Sequence, residues 1–192
     1  MSDDPIQRFE ALLTQATTAG VYLPNAMSLA TADAEGRPSV RMVLLKGVDQ
    51  RGFVFFTNLE SRKGRELRER PYAALCFHWP MPEVQIRIEG KVEQVDDEEA
   101  DAYFATRGRG SQIGAWASKQ SDVLPSRETL ESEVAKVEAR FEGVEVPRPP
   151  FWSGFLVRPE RIEFWTGMPD RLHERLIYTK SESGWHVERL YP

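Results

Sequence analysis

Three groups of side chains in this 192-residue sequence have the types and spacing to hold anions. Residues 41–70 carry eight Lys/Arg (Arg41, Lys46, Arg51, Arg62, Lys63, Arg65, Arg68, Arg70) against four acids (Asp49, Glu60, Glu66, Glu69). Within that segment Ser61-Arg62-Lys63 falls where a helix begins. Free backbone N–H groups and the positive end of the dipole suit a phosphate there. Cations at this end oppose the dipole unless an anion joins them, so the arrangement predicts a ligand. Residues 103–121 hold Arg107, Arg109 and Lys119 with no acid. In the third group Gly167-Met-Pro-Asp170 reads as a hairpin turn, so a strand from about Arg171 sets Arg171, His173 and Arg175 on one face. Leu172 and Leu176 then take the other face. A cationic row of this kind predicts an anionic or electron-rich ligand, with Trp165 as an aromatic wall. The plain alternatives are a solvated face for the first two groups and acids paired across the hairpin for the third.

Other chemistries are poorly supplied. Gly108-Arg-Gly110-Ser-Gln-Ile-Gly114 has the wrong spacing for a dinucleotide fingerprint and follows a helix rather than a strand. No Walker A sequence occurs, and His173-Glu174 lacks the second histidine of a zincin. No Ser or Cys stands in a nucleophile elbow. Cys76, within the apolar run AALCF, reads as a packed small hydrophobe. His78, His173 and His186 are too scattered for a structural zinc site, so no metal is expected.

These groups must be positioned by a largely β scaffold. Asp4 and Pro5 read as N-cap and first residue of a helix, about 4–19, with Ile6, Phe9, Leu12, Leu13 and Ala16 at helical spacing and Gly20 to end it. Strands are expected at Ala26–Ala32, Ser39–Val48 and Phe53–Thr57, then a helix from Ser61 that stops before Pro71. Ala73–Trp79 and Val84–Val95 read as strands, Asp96 caps a helix through Tyr103, and Leu130, Val134, Val137 and Phe141 mark a longer helix. Four further strands are expected at Gly154–Val157, Arg161–Trp165, Leu172–Thr179 and Trp185–Leu190. Hairpin-linked strands with helices inserted rather than alternating predict an antiparallel barrel, mainly β with added helices. Gly143–Pro150 is too short to divide the chain, so residues 1–192 read as one domain.

Composition sets outer limits. Apolar residues make up 41% and charged residues 29%, enough to bury a core. A formal charge of −5 argues against a dedicated nucleic-acid binder. No apolar run approaches a membrane span, and MSDDPIQRFE lacks a signal-peptide pattern. A single cysteine fits a reducing compartment, so a soluble cytoplasmic protein is expected, with no nucleic-acid or membrane partner.

Four blocks in order carry a family resemblance: Arg41-Met-Val-Leu-Leu-Lys46, Phe55-Phe-Thr-Asn-Leu-Glu-Ser-Arg-Lys63, Tyr103 through Ser111-Gln-Ile-Gly-Ala-Trp-Ala-Ser-Lys-Gln-Ser121, and Ile162-Glu-Phe-Trp-Thr-Gly-Met-Pro-Asp-Arg-Leu-His-Glu-Arg175. Together the sequence resembles the pyridoxamine 5′-phosphate (pyridoxine 5′-phosphate) oxidases. The resemblance implies an FMN-binding split β-barrel flavoprotein, its C-terminal dimerisation and signature strands at about 151–192, and FMN bound at a homodimer interface. It implies an oxidoreductase of pyridoxine cofactor synthesis that converts pyridoxamine or pyridoxine 5′-phosphate to pyridoxal 5′-phosphate, with dioxygen as acceptor.

By matching position, Arg41, Arg62 and Lys63 resemble the FMN-phosphate clamp, joined by Gln120 and Ser121. The run Arg41, Met42, Val43, Leu44, Leu45, Lys46 would pass along the flavin, with Phe56, Thr57 and Gln85 beside it and Trp165 and Arg175 near its rings. Lys46, Tyr103, Arg107 and Ser111 resemble the clamp on the substrate phosphate. Arg171, Leu172 and His173 would contact substrate, with Arg171 and His173 the catalytic pair. The resemblance also places Gln120–Ser121 and Arg41 on different subunits around one FMN.

The sequence departs from the family pattern at Phe56, Val84, Gly108 and Tyr191, where Tyr, Arg, Pro and Ala are common. It also starts at about the first helix, without the extension that commonly closes over the substrate. Two alternatives therefore stand beside the oxidase: a related flavin oxidase of another aromatic substrate, as in phenazine pathways, and a non-catalytic flavin or pyridoxal-phosphate carrier.

Overall fold

The computed structural model describes residues 4–192. Helix α1 (Pro5–Thr18) starts where expected, with the Asp4 carboxylate accepting from the Ile6 N–H at 2.8 Å. Its buried stripe drives Phe9 edge-on against Phe53 and Phe77, with ring centroids 4.9 and 5.0 Å away. The strands are β1 (Ala26–Ala32), β2 (Pro38–Leu44), β3 (Gly47–Asp49), β4 (Gly52–Asn58), β5 (Tyr72–Trp79), β6 (Val84–Gln94), β7 (Trp152–Thr166), β8 (Glu174–Ser181) and β9 (Gly184–Leu190). All pairings are antiparallel, in the order β2-β1-β5-β6-β7-β4-β3, with β8 added to β7 and β9 to β8. The expected mainly β antiparallel split barrel with added helices is the fold observed.

Helices α2 (Arg62–Glu69), α3 (Asp97–Ala105), α4 (Arg109–Ala117) and α5 (Arg127–Arg140) decorate this curled sheet. Ser61 caps α2 through the Gly64 N–H, and Asp96 caps α3 through the Glu99 N–H. Helix α4 was not expected: its glycines at 108, 110 and 114 weaken the helical pattern, and only Ile113 and Ala117 give a buried i, i+4 pair.

Three expected strands differ in extent. Ser39–Val48 divides into β2 and β3, because the Leu45 N–H bonds to Asn25 O and the Lys46 N–H to Val54 O. The chain thus leaves β1 and joins β4 at a two-residue corner. Gly154–Val157 and Arg161–Trp165 are instead one strand, β7, running through Pro159. Pro159 is tolerated there because β7 bulges beside it, with Glu160 as the extra residue, opposite Gly90 of β6, where a Cβ on residue 90 would overlap the Arg158 carbonyl.

The third correction concerns the cationic row. Residues Pro169–Arg171 form a 3-10 turn, and Asp170 and Arg171 have φ of 57° and 62°. Two successive left-handed residues cannot belong to a strand, so β8 begins only at Glu174. Arg171 and His173 lie ahead of it, and only Arg175 occupies the expected strand.

Candidate active site

A cavity of about 620 Å³ opens between the end of β2, strand β4, and helices α3 and α4. Met42, Val43 and Leu44 reach it from β2, Lys46 from the corner, and Phe56, Thr57 and Asn58 from β4. Lys63 enters from the first turn of α2, Tyr103 and Arg107 from α3 and its end, Ser111 from α4, and Gln120 from the following loop. Of the described residues lining it, three are cations (Lys46, Lys63, Arg107) and none is Asp or Glu.

The cavity's cations fall into two sets by their partners. In one, Lys63 Nζ donates to Gln120 Oε1 at 2.9 Å and to Thr57 Oγ1 at 3.3 Å. Lys63 makes no ion pair among the described residues, and burial together with the like charge of Arg41 holds its ammonium down at about 8. In the other set Arg107 lies 4.6 Å from the Trp152 ring centroid, and Lys46 Nζ lies 5.9 Å from that of Tyr103. Burial also pulls the Arg107 guanidinium below its ordinary range. Phe56 stacks on Tyr103 at 4.0 Å and on Trp152 at 5.4 Å. The N-terminus of α4, capped by no side chain, adds a positive dipole end beside Gly108 and Ser111. The half-buried Lys63 and Arg107 and the exposed Lys46, partnered only by neutral oxygens and rings, leave electrostatic room for anionic groups in the cavity.

Arg41 and Arg62 do not line the cavity; both bind Glu66 on α2, Arg41 through Nη2 at 3.2 Å and Arg62 through Nε at 2.8 Å. The expected helix-start conflict between cations and dipole is thus partly relieved by a carboxylate of the same helix. Leu45 is buried in the core, and Ser121, at φ 77°, lines the neighbouring groove with the exposed Val123. Lys63, Thr57 and Gln120 are joined within one chain, and Arg41 shares that neighbourhood. Gln120 thus stands beside Lys63 of its own chain.

Gln85, Trp165, Arg171, Leu172, His173 and Arg175 also lie outside the cavity lining. Arg175 sits opposite Trp165, which sits opposite Gln85, so all three share the outer face of the sheet. Arg175 Nε donates to Glu163 Oε1 at 2.9 Å, and Arg87 binds the other oxygen of the same buried carboxylate. The acid-paired alternative thus holds for Arg175. The His173 ring lies 4.5 Å from Trp165, and its Nδ1 accepts the Met168 N–H at 3.2 Å. Leu172 is exposed. Sequence reasoning missed Asn58, Ser118 and Trp152; β7 opens at Trp152 with six consecutive buried residues, so no alternating pattern marks the side chain that reaches the cavity.

A curled antiparallel half-barrel whose cavity is lined by three cations and no acid defines a split-barrel protein with a site suited to an anionic ligand. Family models agree: the pyridoxamine 5′-phosphate oxidase model matches residues 13–141, and the pyridoxine 5′-phosphate oxidase C-terminal dimerisation region matches 152–192. This chain belongs to the pyridoxamine 5′-phosphate oxidase family. It is 58% identical over 189 residues to the pyridoxine/pyridoxamine 5′-phosphate oxidase of Myxococcus xanthus, covering 98% of this chain and 92% of that one. It is 54% identical over 192 residues to the enzyme of the same name from Zymomonas mobilis, covering all of both. Among solved structures, PhzG from Burkholderia lata in complex with tetrahydrophenazine-1-carboxylic acid superposes with a TM-score of 0.94 at 37% identity, covering 100% of this chain and 94% of that one. A pyridoxamine 5′-phosphate oxidase-related, FMN binding protein from Nostoc punctiforme shares the fold, with a TM-score of 0.77 at 18% identity and all of both chains covered.

Proposed function

We propose that this protein oxidises pyridoxamine 5′-phosphate and pyridoxine 5′-phosphate to pyridoxal 5′-phosphate, with FMN as cofactor and dioxygen as final acceptor. The observation that carries this reading is the cavity lined by three cations with two different sets of partners and by no acid, one set for each of two phosphates. The Lys63 set, backed by Arg41 and Arg62, fits the FMN phosphate because a half-buried ammonium there has only neutral partners. FMN supplies a two-electron acceptor that dioxygen returns to its oxidised form. Pyridoxine phosphate and dioxygen then give pyridoxal phosphate and hydrogen peroxide; the amine also takes up water and releases ammonia.

Lys46, Tyr103, Arg107 and Ser111 grip the substrate phosphate, far from the bond that changes, and so fix the ring by its tail. The Phe56–Trp152 wall excludes water along one side. Gln85, Trp165, Arg171, His173 and Arg175 complete the site from a second subunit, since none of them lines the cavity of its own chain. The outer sheet face that bears Gln85, Trp165 and Arg175 continues across small residues (Ala74, Cys76, Ser28, Ala30) to Val40 and Met42, which are 69% and 62% exposed. Such a face suits a homodimer related by a two-fold axis. Because His173 Nδ1 accepts a backbone N–H, its neutral ring carries the proton on Nε2. It therefore offers the substrate a donor that positions C4′, rather than a base. A cytoplasmic setting accompanies this reading.

The purified protein should show a flavin absorbance spectrum and release peroxide when either phosphorylated vitamer is added. Flavin binding without turnover would favour the carrier reading. The likeness to PhzG favours one second reading, oxidation of a reduced tricyclic acid. Turnover of such an acid, with none of the vitamers, would establish it.

A further inference from the structure

Glu66 is buried to 4% exposure on α2, immediately behind the proposed flavin-phosphate cations. Its Oε2 accepts from Thr31 Oγ1, from Ser39 Oγ at 2.6 Å and from Arg41 Nη2 at 3.2 Å; its Oε1 accepts from Arg62 Nε at 2.8 Å. The two hydroxyls also accept from Arg41: Thr31 Oγ1 from Nη1 and Ser39 Oγ from Nη2, both at 2.5 Å. Arg41 is thus tied at both Nη atoms. Arg62 is held at Nε only, and neither Nη has a partner among the described residues. Arg62 therefore presents an unspent fork of four N–H donors, the geometry that binds phosphate bidentately.

We infer that Glu66 is a positioning residue for the flavin phosphate, aiming Arg62 and holding Arg41 behind Lys63 while reducing the three cations to a net charge of +2. This rests on the FMN reading above. That charge balances a phosphate monoester dianion. It overbalances a diester, and it finds nothing to balance in riboflavin. The carboxylate stays ionised: burial pushes it up, but hydrogen bonds from Ser39, Thr31, Arg62 and Arg41 outweigh burial and hold it at about 2.

Charge counting and positioning make opposite forecasts for Glu66→Gln. Removing a negative charge beside an anion site should tighten phosphate binding on charge alone. If Glu66 acts by aiming the arginines, the same change should weaken it, because a glutamine amide turns a donor toward groups that are already donors. Titration of FMN and riboflavin by flavin fluorescence, with the full-length protein, separates these. The expected result is that Glu66→Gln weakens FMN roughly tenfold to a hundredfold, the range for a hydrogen bond to a charged group, and leaves riboflavin unchanged. Ser39→Ala, a milder change at a half-buried site, should weaken FMN a few-fold, again without affecting riboflavin. Equal or tighter FMN binding in Glu66→Gln overturns the inference, as does a parallel loss of both flavins, which marks a purely structural carboxylate. Should Glu66→Gln fail to fold, Ser39→Ala decides alone, and unchanged FMN affinity there overturns it. Equal affinity of the unaltered protein for FMN and riboflavin would instead remove the phosphate-clamp reading itself.

Discussion

Lys63 and Gln120, 57 residues apart, meet at 2.9 Å through Nζ and Oε1, and so join the first turn of α2 to the loop that follows α4. An ammonium that donates to an amide oxygen and a threonine hydroxyl, with Arg41 nearby, is held charged against its surroundings. Phosphate binding needs that charge. FMN affinity should be flat from about pH 6, where a phosphate monoester takes its second proton, to about pH 8, where free Lys63 loses its own. Above that, Kd should rise by up to about tenfold per pH unit, since binding must then restore the proton. Lys63→Arg, which does not titrate in this range, should keep the plateau. If it falls alongside the unaltered protein, another group is responsible.

Lys46 and Arg107 line the same cavity as Lys63 and Gln120 but lie against its aromatic rings rather than against Thr57 and Gln120. A remote phosphate is held equally in ground and transition states, so its loss costs uniform binding. Lys46→Ala and Arg107→Ala should each raise KM for pyridoxine 5′-phosphate by roughly tenfold to a hundredfold with kcat within a few-fold. Steady-state peroxide release measures both constants. A fall in kcat with unchanged KM would place these side chains at the reacting carbon instead.

Arg171 and His173 lie in and just after a left-handed turn, which leaves both side chains ahead of β8 rather than along it. Removing either should reduce kcat/KM by on the order of 10²-fold, as for a lost orienting contact, while FMN still titrates with its usual Kd. A variant that loses FMN yet turns over normally once saturated would reverse these roles.

Phe9 touches Phe53, Phe77 and Trp79 and joins α1 to the barrel interior, remote from the cavity lining. Phe9→Ala should cost about 3–5 kcal/mol in urea unfolding. FMN affinity under native conditions should be unchanged; a change would show that α1 packing reaches the site.

Much of this architecture is legible in the residues because the signals are local. Asp4-Pro5, Ser61 and Asp96 mark three helix starts, and Val84-Gln-Ile-Arg-Ile88 alternates as a half-buried strand must. What was illegible depends on partners distant in the chain. Leu45 and Lys46 look like strand continuation until Asn25 and Val54 take their N–H groups. Arg158-Pro159-Glu160 looks like a break until Gly90 opposite it gives room for a bulge with Glu160 as the extra residue. For the site, residue types were sufficient to flag cations, but not to show that Glu66 and Glu163, both buried acids, hold four of the arginines. Nor could periodicity reveal that Arg171 turns left-handed, since Asp170-Arg171 carries no glycine to announce it.

The separation of Lys63 from Arg175, one at the cavity and the other on the outer sheet face, has a genetic corollary if two subunits build each site. A chain carrying Arg62→Ala and another carrying Arg175→Ala would each fail as a pure population, since every site would contain the defect. Mixed and reassembled, they would form hybrid pairs in which one site inherits both defects and the other inherits neither. Two inactive preparations should therefore regain turnover on mixing, at the rate of subunit exchange. Two variants from the same half, Arg62→Ala with Lys63→Ala, should never rescue one another.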